Sequence, residues 1–99
     1  MKGSQLERIR RHYGDEYILR QIAEECTELA QALLKVIRAT RGETPMPVIE
    51  AYRAMLEEVA DVRLMLCVLD KMLDAASRTI IYEQMLVKDK RMSERLLGE

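Results

Sequence analysis

The stretch LEEVADVRLMLCVLD, residues 56–70, combines a long apolar run with acidic residues. Almost every residue from Val59 to Leu69 is apolar, a pattern that predicts a buried helix. Asp61 nevertheless lies inside the run, and Glu57 and Glu58 directly precede it. Because burying an unpaired carboxylate is costly, we expect Asp61 to have a partner that neutralises its charge.

The rest of the chain divides into helices at a few breaks, which fall at 14–15, 42–47 and 74–77. They predict a short leading helix over about 4–13 and three longer helices over about 15–40, 47–73 and 77–97. Ser4 with Glu7 is typical of a capping box, and Ser77 is a candidate cap for the fourth helix. No stretch alternates as a strand does, so we expect an all-α protein, an antiparallel helical bundle formed by one domain over residues 1–99.

Length and composition limit the partners of this chain. A bundle of 99 residues buries a modest core, so we expect oligomerisation to complete it. Sixteen basic residues against seventeen acidic ones argue against binding to a nucleic-acid polymer. We expect no membrane span and no signal peptide, because no apolar segment is long enough. Cys26 and Cys67 are isolated, which predicts buried free thiols and a cytoplasmic protein.

Acidic residues interrupt the apolar seams of two helices. On the second helix the apolar series 18, 22, 25, 29, 32, 36 has helical spacing, but position 25 is Glu25, with Glu28 on the same face. On the third helix the series 55, 58, 62, 65, 69, 72 is interrupted by Glu58, and Asp61 follows three residues later. Each helix therefore places one acidic pair on or beside its seam.

The short linker makes the second and third helices antiparallel neighbours, so the two acidic pairs are expected to meet. Glu28 lies roughly 20 Å before Arg41, and Glu58 and Asp61 lie roughly 17–21 Å after Pro47, at 1.5 Å per residue. Four converging carboxylates repel one another unless a cation binds them. Oxygen ligands favour Mg²⁺, or Mn²⁺, over zinc. The alternative is a solvated acidic face, which is what a single ExxE motif on a helix usually forms.

Two motifs resemble those of a known family. Glu24-Glu25-Cys26-Thr27-Glu28 matches EExxE, and Glu57-Glu58-Val59-Ala60-Asp61 matches EExxD. From about Tyr13 to Arg95, the order and spacing of these motifs resemble the MazG-like superfamily of all-α nucleoside triphosphate pyrophosphohydrolases. The resemblance implies a Mg²⁺-dependent enzyme that cleaves a nucleoside triphosphate to the monophosphate and pyrophosphate. It also implies a dimer or a tetramer.

Under this hypothesis the acidic residues divide into two roles. Either Glu24 or Glu25 would orient the attacking water or accept its proton. The metal ligands would be Glu25, Glu28, Glu58 and Asp61.

Basic side chains would stabilise the leaving pyrophosphate. Lys88, Arg91 and Arg95 share one face of the fourth helix, and Lys88 to Arg91 is similar to a KxxR motif often found there in the family. Lys35, two turns after Glu28 on the same face, is a further substrate-binding candidate. For all four, the alternative is an ordinary solvated charge.

Base recognition and the rival functions are less well defined by the sequence. Stacking groups for a base are limited to His12, Tyr13, Tyr17, Tyr52 and Tyr82, each with a packing or surface role as the alternative. A chorismate-type mutase would need inward-facing basic residues, and a di-iron bundle would need ExxH motifs. The principal alternative is a non-catalytic, oligomeric helical interaction or regulatory module, which the Met-rich third helix would suit.

Overall fold

The computed structural model describes residues 1–98 and contains four helices and no strand within them. The helices are α1 (Gly3–Tyr13), α2 (Asp15–Thr40), α3 (Val48–Met72) and α4 (Ala75–Leu97). The all-α prediction is confirmed. The chain forms two compact units, Met1–Leu69 and a second unit that begins at Asp70. Across residues 1–98, no helix is both long enough and apolar enough to span a bilayer.

A glycine and an ion pair fix the junction between α1 and α2. Gly14 has a φ of +84° and donates its N–H to the Arg10 carbonyl at 2.9 Å, which ends α1. The Arg10 guanidinium binds both Asp15 oxygens, at 2.8 and 2.9 Å, at the start of α2. The predicted Ser4–Glu7 capping box is wrong. The N–H of Lys2 instead donates to the Gln5 side chain at 2.9 Å, so the helix begins one residue earlier.

The turn after α2 follows the expected glycine chemistry. Gly42 has a φ of +71° and donates to the Ala39 carbonyl at 3.1 Å, and the Glu43 N–H donates to the Arg38 carbonyl at 2.9 Å. These bonds satisfy carbonyls that the end of α2 leaves without helical partners. The Pro47 carbonyl then accepts the N–H groups that open α3.

The start of α4 differs from the prediction. Ser77 is not its cap. Asp74 precedes the helix, and its side chain accepts the Ser77 N–H at 2.7 Å. The guanidinium of Arg78 donates to the carbonyls of Asp70, at 3.1 Å, and Leu73. The turn between α3 and α4 is therefore held by polar contacts at both helix ends.

Within residues 1–98 the buried core is small and wholly apolar. It comprises Leu6, Ile18, Ile22, Ala32, Ala39, Ala51, Val62 and Val68. Ile18, Ile22, Ala32 and Val62 lie on the predicted seams. Leu33, four residues after Leu29 on α2, is 44% exposed.

Large parts of α3 and α4 remain uncovered within the single chain. Leu64 and Leu66 of α3 are 54% and 45% exposed, and no residue of α4 is buried. The apolar run over residues 59–69 is therefore not covered on all sides within the single chain. Cys26 and Cys67 are also exposed, so the predicted burial of both thiols is wrong. The apolar spacing of these helices was recognised, but a single chain does not supply enough surface to cover it.

Candidate metal centre

Three carboxylates from two helices form a tight cluster within Met1–Leu69. One carboxylate oxygen each from Glu25, Glu58 and Asp61 lies within 4.8 Å of the other two. Glu25 is on α2, whereas Glu58 and Asp61 are three residues apart on α3 and so share one face. The two helices that carried an acidic interruption of their seams thus bring those interruptions together.

Glu28 joins this cluster from the following turn of α2. Its charge lies close enough to raise the pKa of both Glu25 and Glu58. All four acids that the sequence analysis assigned to the metal are therefore neighbours. We refer to Glu25, Glu28, Glu58 and Asp61 as the acidic cluster.

Two oxygens of the acidic cluster are buried without a partner. The Oε2 atoms of Glu25 and Glu58 are shielded from solvent and accept no hydrogen bond. Partial desolvation is the main cause that raises the pKa of each carboxyl, and the neighbouring acids raise it further. Asp61 itself is exposed, so the expectation that it is the buried carboxylate is wrong. The desolvated oxygens belong to its two neighbours.

Basic side chains do not compensate these charges in the part of the chain that the structure describes. The ion pairs there join Arg10 to Asp15, Arg20 to Glu16 and Arg41 to Glu43. None of them involves the acidic cluster. An unpartnered, partly desolvated carboxylate is unfavourable unless protonation or a cation neutralises it.

The donor set fits a hard divalent cation. Carboxylate oxygens are the preferred protein ligands of Mg²⁺, which binds them at about 2.0–2.1 Å. Two oxygens on opposite sides of one Mg²⁺ are therefore about 4.2 Å apart. One oxygen of each of Glu25, Glu58 and Asp61 lies within 4.8 Å of the others, which is comparable to this separation.

Glu24 and Lys35 lie on other surfaces of α2. Glu24 lines a groove with Thr27, Glu28 and Gln31, so it shares Glu28 with the cluster but lies outside the group of three close carboxylates. Lys35 lines a separate depression near the end of α2, together with Arg38, Glu43, Thr44 and Met46. Glu24 therefore lies next to the acidic cluster, whereas Lys35 lies apart from it.

The three basic candidates of α4 form one surface. Lys88, Arg91 and Arg95 line a depression of about 260 Å³ together with Met92. The spacing i, i+3, i+7 predicted a shared face, and their common depression agrees with it. With three positive charges and a single apolar side chain, this depression suits an anion.

An apolar pocket of about 190 Å³, which was not predicted from the sequence, lies within Met1–Leu69. Its lining residues are Met1, Leu6, Ile9, Tyr17, Ile18, Gln21, Met65 and Val68. Gln21 is four residues before Glu25, and Met65 is four residues after Asp61. This spacing could have indicated the pocket from the sequence, because both residues continue the helix faces that carry the acidic cluster. No comparable pattern indicated that α1 would line it.

Comparison with known proteins does not assign this chain to a family. No family model matches the chain, and neither a curated protein nor a solved structure matches it.

Proposed function

We propose that this chain is a Mg²⁺-dependent nucleoside triphosphate pyrophosphohydrolase, which hydrolyses an NTP or dNTP to the monophosphate and pyrophosphate. One observation carries the proposal: Glu25 and Glu58 hold buried, unpartnered oxygens beside two further acids. The resemblance of the EExxE and EExxD motifs to the MazG-like superfamily supports the same conclusion. Mn²⁺ is the second metal that this donor set would suit.

We further propose that α2 and α3 form an antiparallel hairpin around the site. Two groups of neighbouring residues, at different positions along the helices, support this arrangement. Glu25 lies beside Glu58 and Asp61, while the earlier Ile18 lines one pocket with the later Val68. Residues that come earlier on α2 are thus grouped with residues that come later on α3.

In this proposal the acidic cluster holds the cation, and the surrounding residues organise the reaction. Mg²⁺ bound there would neutralise phosphate charge and make water a better nucleophile. Glu25, and more distantly Glu24, are the candidates to orient the attacking water and accept its proton. Water would attack the α-phosphorus, and the bond to the leaving pyrophosphate would break.

Cationic side chains would bind the phosphate chain and the leaving group. The depression lined by Lys88, Arg91 and Arg95 concentrates positive charge and is the strongest candidate. Lys35 lies two turns along α2 from Glu28, roughly 10 Å at 1.5 Å per residue. Its long side chain makes it the candidate for the distal end of the triphosphate.

We also propose that the chain assembles as a homodimer or homotetramer in the cytoplasm. The uncovered face of α3 supports assembly, because Ile49, Tyr52 and Leu56 follow the three- and four-residue spacing of a packed helix face and are 57%, 46% and 47% exposed. Val59, which is partly exposed, extends this series, and Arg63 then interrupts it before Leu66. Contiguous apolar surface of this kind marks an interaction site in soluble proteins.

The second candidate function is a non-catalytic helical interaction or regulatory module. It is favoured by α4, which exposes large apolar residues along its length and buries none. Such a module needs no cation, and the acidic cluster would then be only an incidental feature. The response to Mg²⁺ separates the two functions.

The proposed activity is tested by incubating the purified chain with Mg²⁺ and a panel of ribo- and deoxyribonucleoside triphosphates. We expect pyrophosphate release that stops on chelation of the metal. Glu58→Gln should abolish release, whereas the control Glu50→Gln, an exposed acid at the start of α3, should retain it. Absence of release from every triphosphate would contradict the proposed activity.

A further inference from the structure

We infer that the apolar pocket between α1, α2 and α3 receives the base of the substrate, and that Tyr17 and Gln21 recognise it. This inference rests on the proposed function, because the proposed function makes a nucleotide the substrate that binds at the acidic cluster. A simpler phosphoanhydride without a base would leave this pocket unused.

The pocket lies beside the acidic cluster on both helices. Gln21 precedes Glu25 by four residues on α2, and Met65 follows Asp61 by four residues on α3. Four residues correspond to about 6 Å along a helix, so the near wall is one turn from the carboxylates. Ile18 forms part of the far wall, about 10 Å from Glu25 on the same scale. A sugar ring would bridge this gap between a base in the pocket and phosphates at the cluster.

The size of the pocket fits one ring system. Its volume is about 190 Å³, whereas sites that enclose a complete drug-sized ligand measure roughly 300–1,000 Å³. The pocket therefore holds a fragment of a ligand, and the remainder must extend outside. The acidic cluster is one turn away, so a phosphate chain on the same ligand could be held there by a bound metal ion.

Apolar walls and few polar groups suit a planar heterocycle. Leu6, Ile18 and Val68 are nearly buried, with 3–4% exposure, and Ile9 and Met65 are partly exposed. Such walls favour an uncharged ring and exclude the phosphates themselves.

Tyr17 and Gln21 supply the contacts that could distinguish a base. The Tyr17 ring is 44% exposed and stacks on Tyr13, with centroids 4.6 Å apart and planes 21° apart. This stacking braces the Tyr17 ring, which also lines the pocket. Gln21 offers an amide that donates and accepts, the pattern that the edges of bases require. Among the aromatic candidates from the sequence, Tyr17 is the one that lines this pocket.

Nucleosides without phosphate test the pocket independently of catalysis. The full-length chain is labelled at its methionine methyl groups, and NMR spectra are recorded with adenosine, guanosine, cytidine or thymidine. We expect at least one nucleoside to shift the Met65 methyl signal and to leave that of Met85 on α4 in place. Inorganic tripolyphosphate with Mg²⁺, which lacks a base, should not reproduce the shift.

Matched substitutions test the two recognition residues. Tyr17→Leu should weaken nucleoside binding at least about fivefold, because base–aromatic stacking typically contributes that much or more. Leu19→Ala, which shortens a similarly exposed side chain of α2 outside the pocket, should leave binding unchanged. Gln21→Leu should change the order of preference among the four bases. Tyr17→Leu and Gln21→Leu should each raise KM for the triphosphate more than they lower kcat.

The outcomes separate this inference from the proposed function. Pyrophosphate release without any nucleoside-induced shift at Met65 would overturn the pocket assignment and leave the activity intact. A Met65 shift without pyrophosphate release would support the pocket and contradict the activity. Equal losses of binding in Tyr17→Leu and Leu19→Ala would also overturn the assignment.

Discussion

Glu25 on α2 and Glu58 on α3 each bury one carboxylate oxygen that has no hydrogen-bond partner, and the two side chains place oxygens within 4.8 Å of each other. Two acids rarely approach so closely in a partly desolvated setting without a neutralising group. The pKa of each is raised, first by desolvation and then by the neighbouring acids. A cation bound between Glu25 and Glu58 would therefore relieve both their repulsion and their unfavourable desolvation.

Magnesium should stabilise the folded protein through the acidic cluster. A ligand at 100 times its Kd adds about 2.7 kcal/mol to the free energy of unfolding. For a chain of this size, that corresponds to a rise in Tm of at least about 10 °C. Differential scanning calorimetry with and without Mg²⁺ measures this rise.

Charge-matched variants locate the magnesium effect. Glu25→Gln and Glu58→Gln should each remove most of the rise in Tm, and Glu50→Gln should keep it. An equal Mg²⁺ response in all three variants would show that the ion binds elsewhere.

The metal-free protein should lose stability as the pH rises above the ordinary glutamate pKa of about 4.3. Because the folded state raises the pKa of Glu25 and Glu58, it binds their protons more tightly than the unfolded state does. This contribution is fully present below the unfolded pKa and is lost as the pH rises through the folded pKa values. The measurement is Tm against pH in chelator.

Removing the two charges should abolish this dependence. In chelator at pH 7, the double variant Glu25→Gln/Glu58→Gln should melt above the wild type, and the difference should shrink towards pH 4. Asp15 and Asp74 have lowered pKa values, because Arg10 and Ser77 respectively bind their carboxylates, so they act below this range and in the opposite direction. A double variant less stable than the wild type at pH 7 would contradict repulsion within the cluster.

Gly42 should be required at the end of α2. Its φ of +71° is accessible to glycine but strained for other residues, and an added Cβ would meet no neighbouring atom. Gly42→Ala should therefore lower the free energy of unfolding by about 1 kcal/mol through backbone strain alone. Urea denaturation measures the change. Gly3→Ala, at an ordinary φ in α1, is the control and should not destabilise the protein.

The uncovered face of α3 should mediate self-association. Leu56 lies on this face and is 47% exposed in the single chain. If a second copy covers this face, Leu56→Glu would bury a charge in an apolar interface and shift the protein towards monomer. Light scattering at micromolar concentration should give at least a dimeric mass for the wild type. A monomeric wild type would contradict the proposed assembly.

Sequence patterns predicted those features that depend on neighbouring residues along one helix. The bounds of α2 followed from Gly14 and Gly42. The meeting of the two acidic pairs followed from the similar distances of Glu28 and of Glu58 and Asp61 to one turn. Local rules failed where two residues compete for one role: Asp74, not Ser77, caps α4, because both types are good caps and only three residues separate them.

Burial was harder to predict because it depends on what covers each face. Leu33, Cys67 and Asp61 all occur in helical patterns typical of burial, yet each is exposed in the single chain. A helical period shows which residues share a face but not whether a neighbour lies against it. The apolar pocket was missed for a related reason, since Leu6 and Ile9 reach it only through the packing of α1.

The most direct test of the account is product analysis with the wild type and Asp61→Asn. With Mg²⁺ and an accepted nucleoside triphosphate, the wild type should form equal amounts of the nucleoside monophosphate and pyrophosphate. Asp61→Asn should lower kcat/KM at least about 100-fold, since a metal supplies several kcal/mol to such a transition state, while circular dichroism stays helical. Full activity in Asp61→Asn, or formation of the diphosphate and inorganic phosphate, would contradict the account.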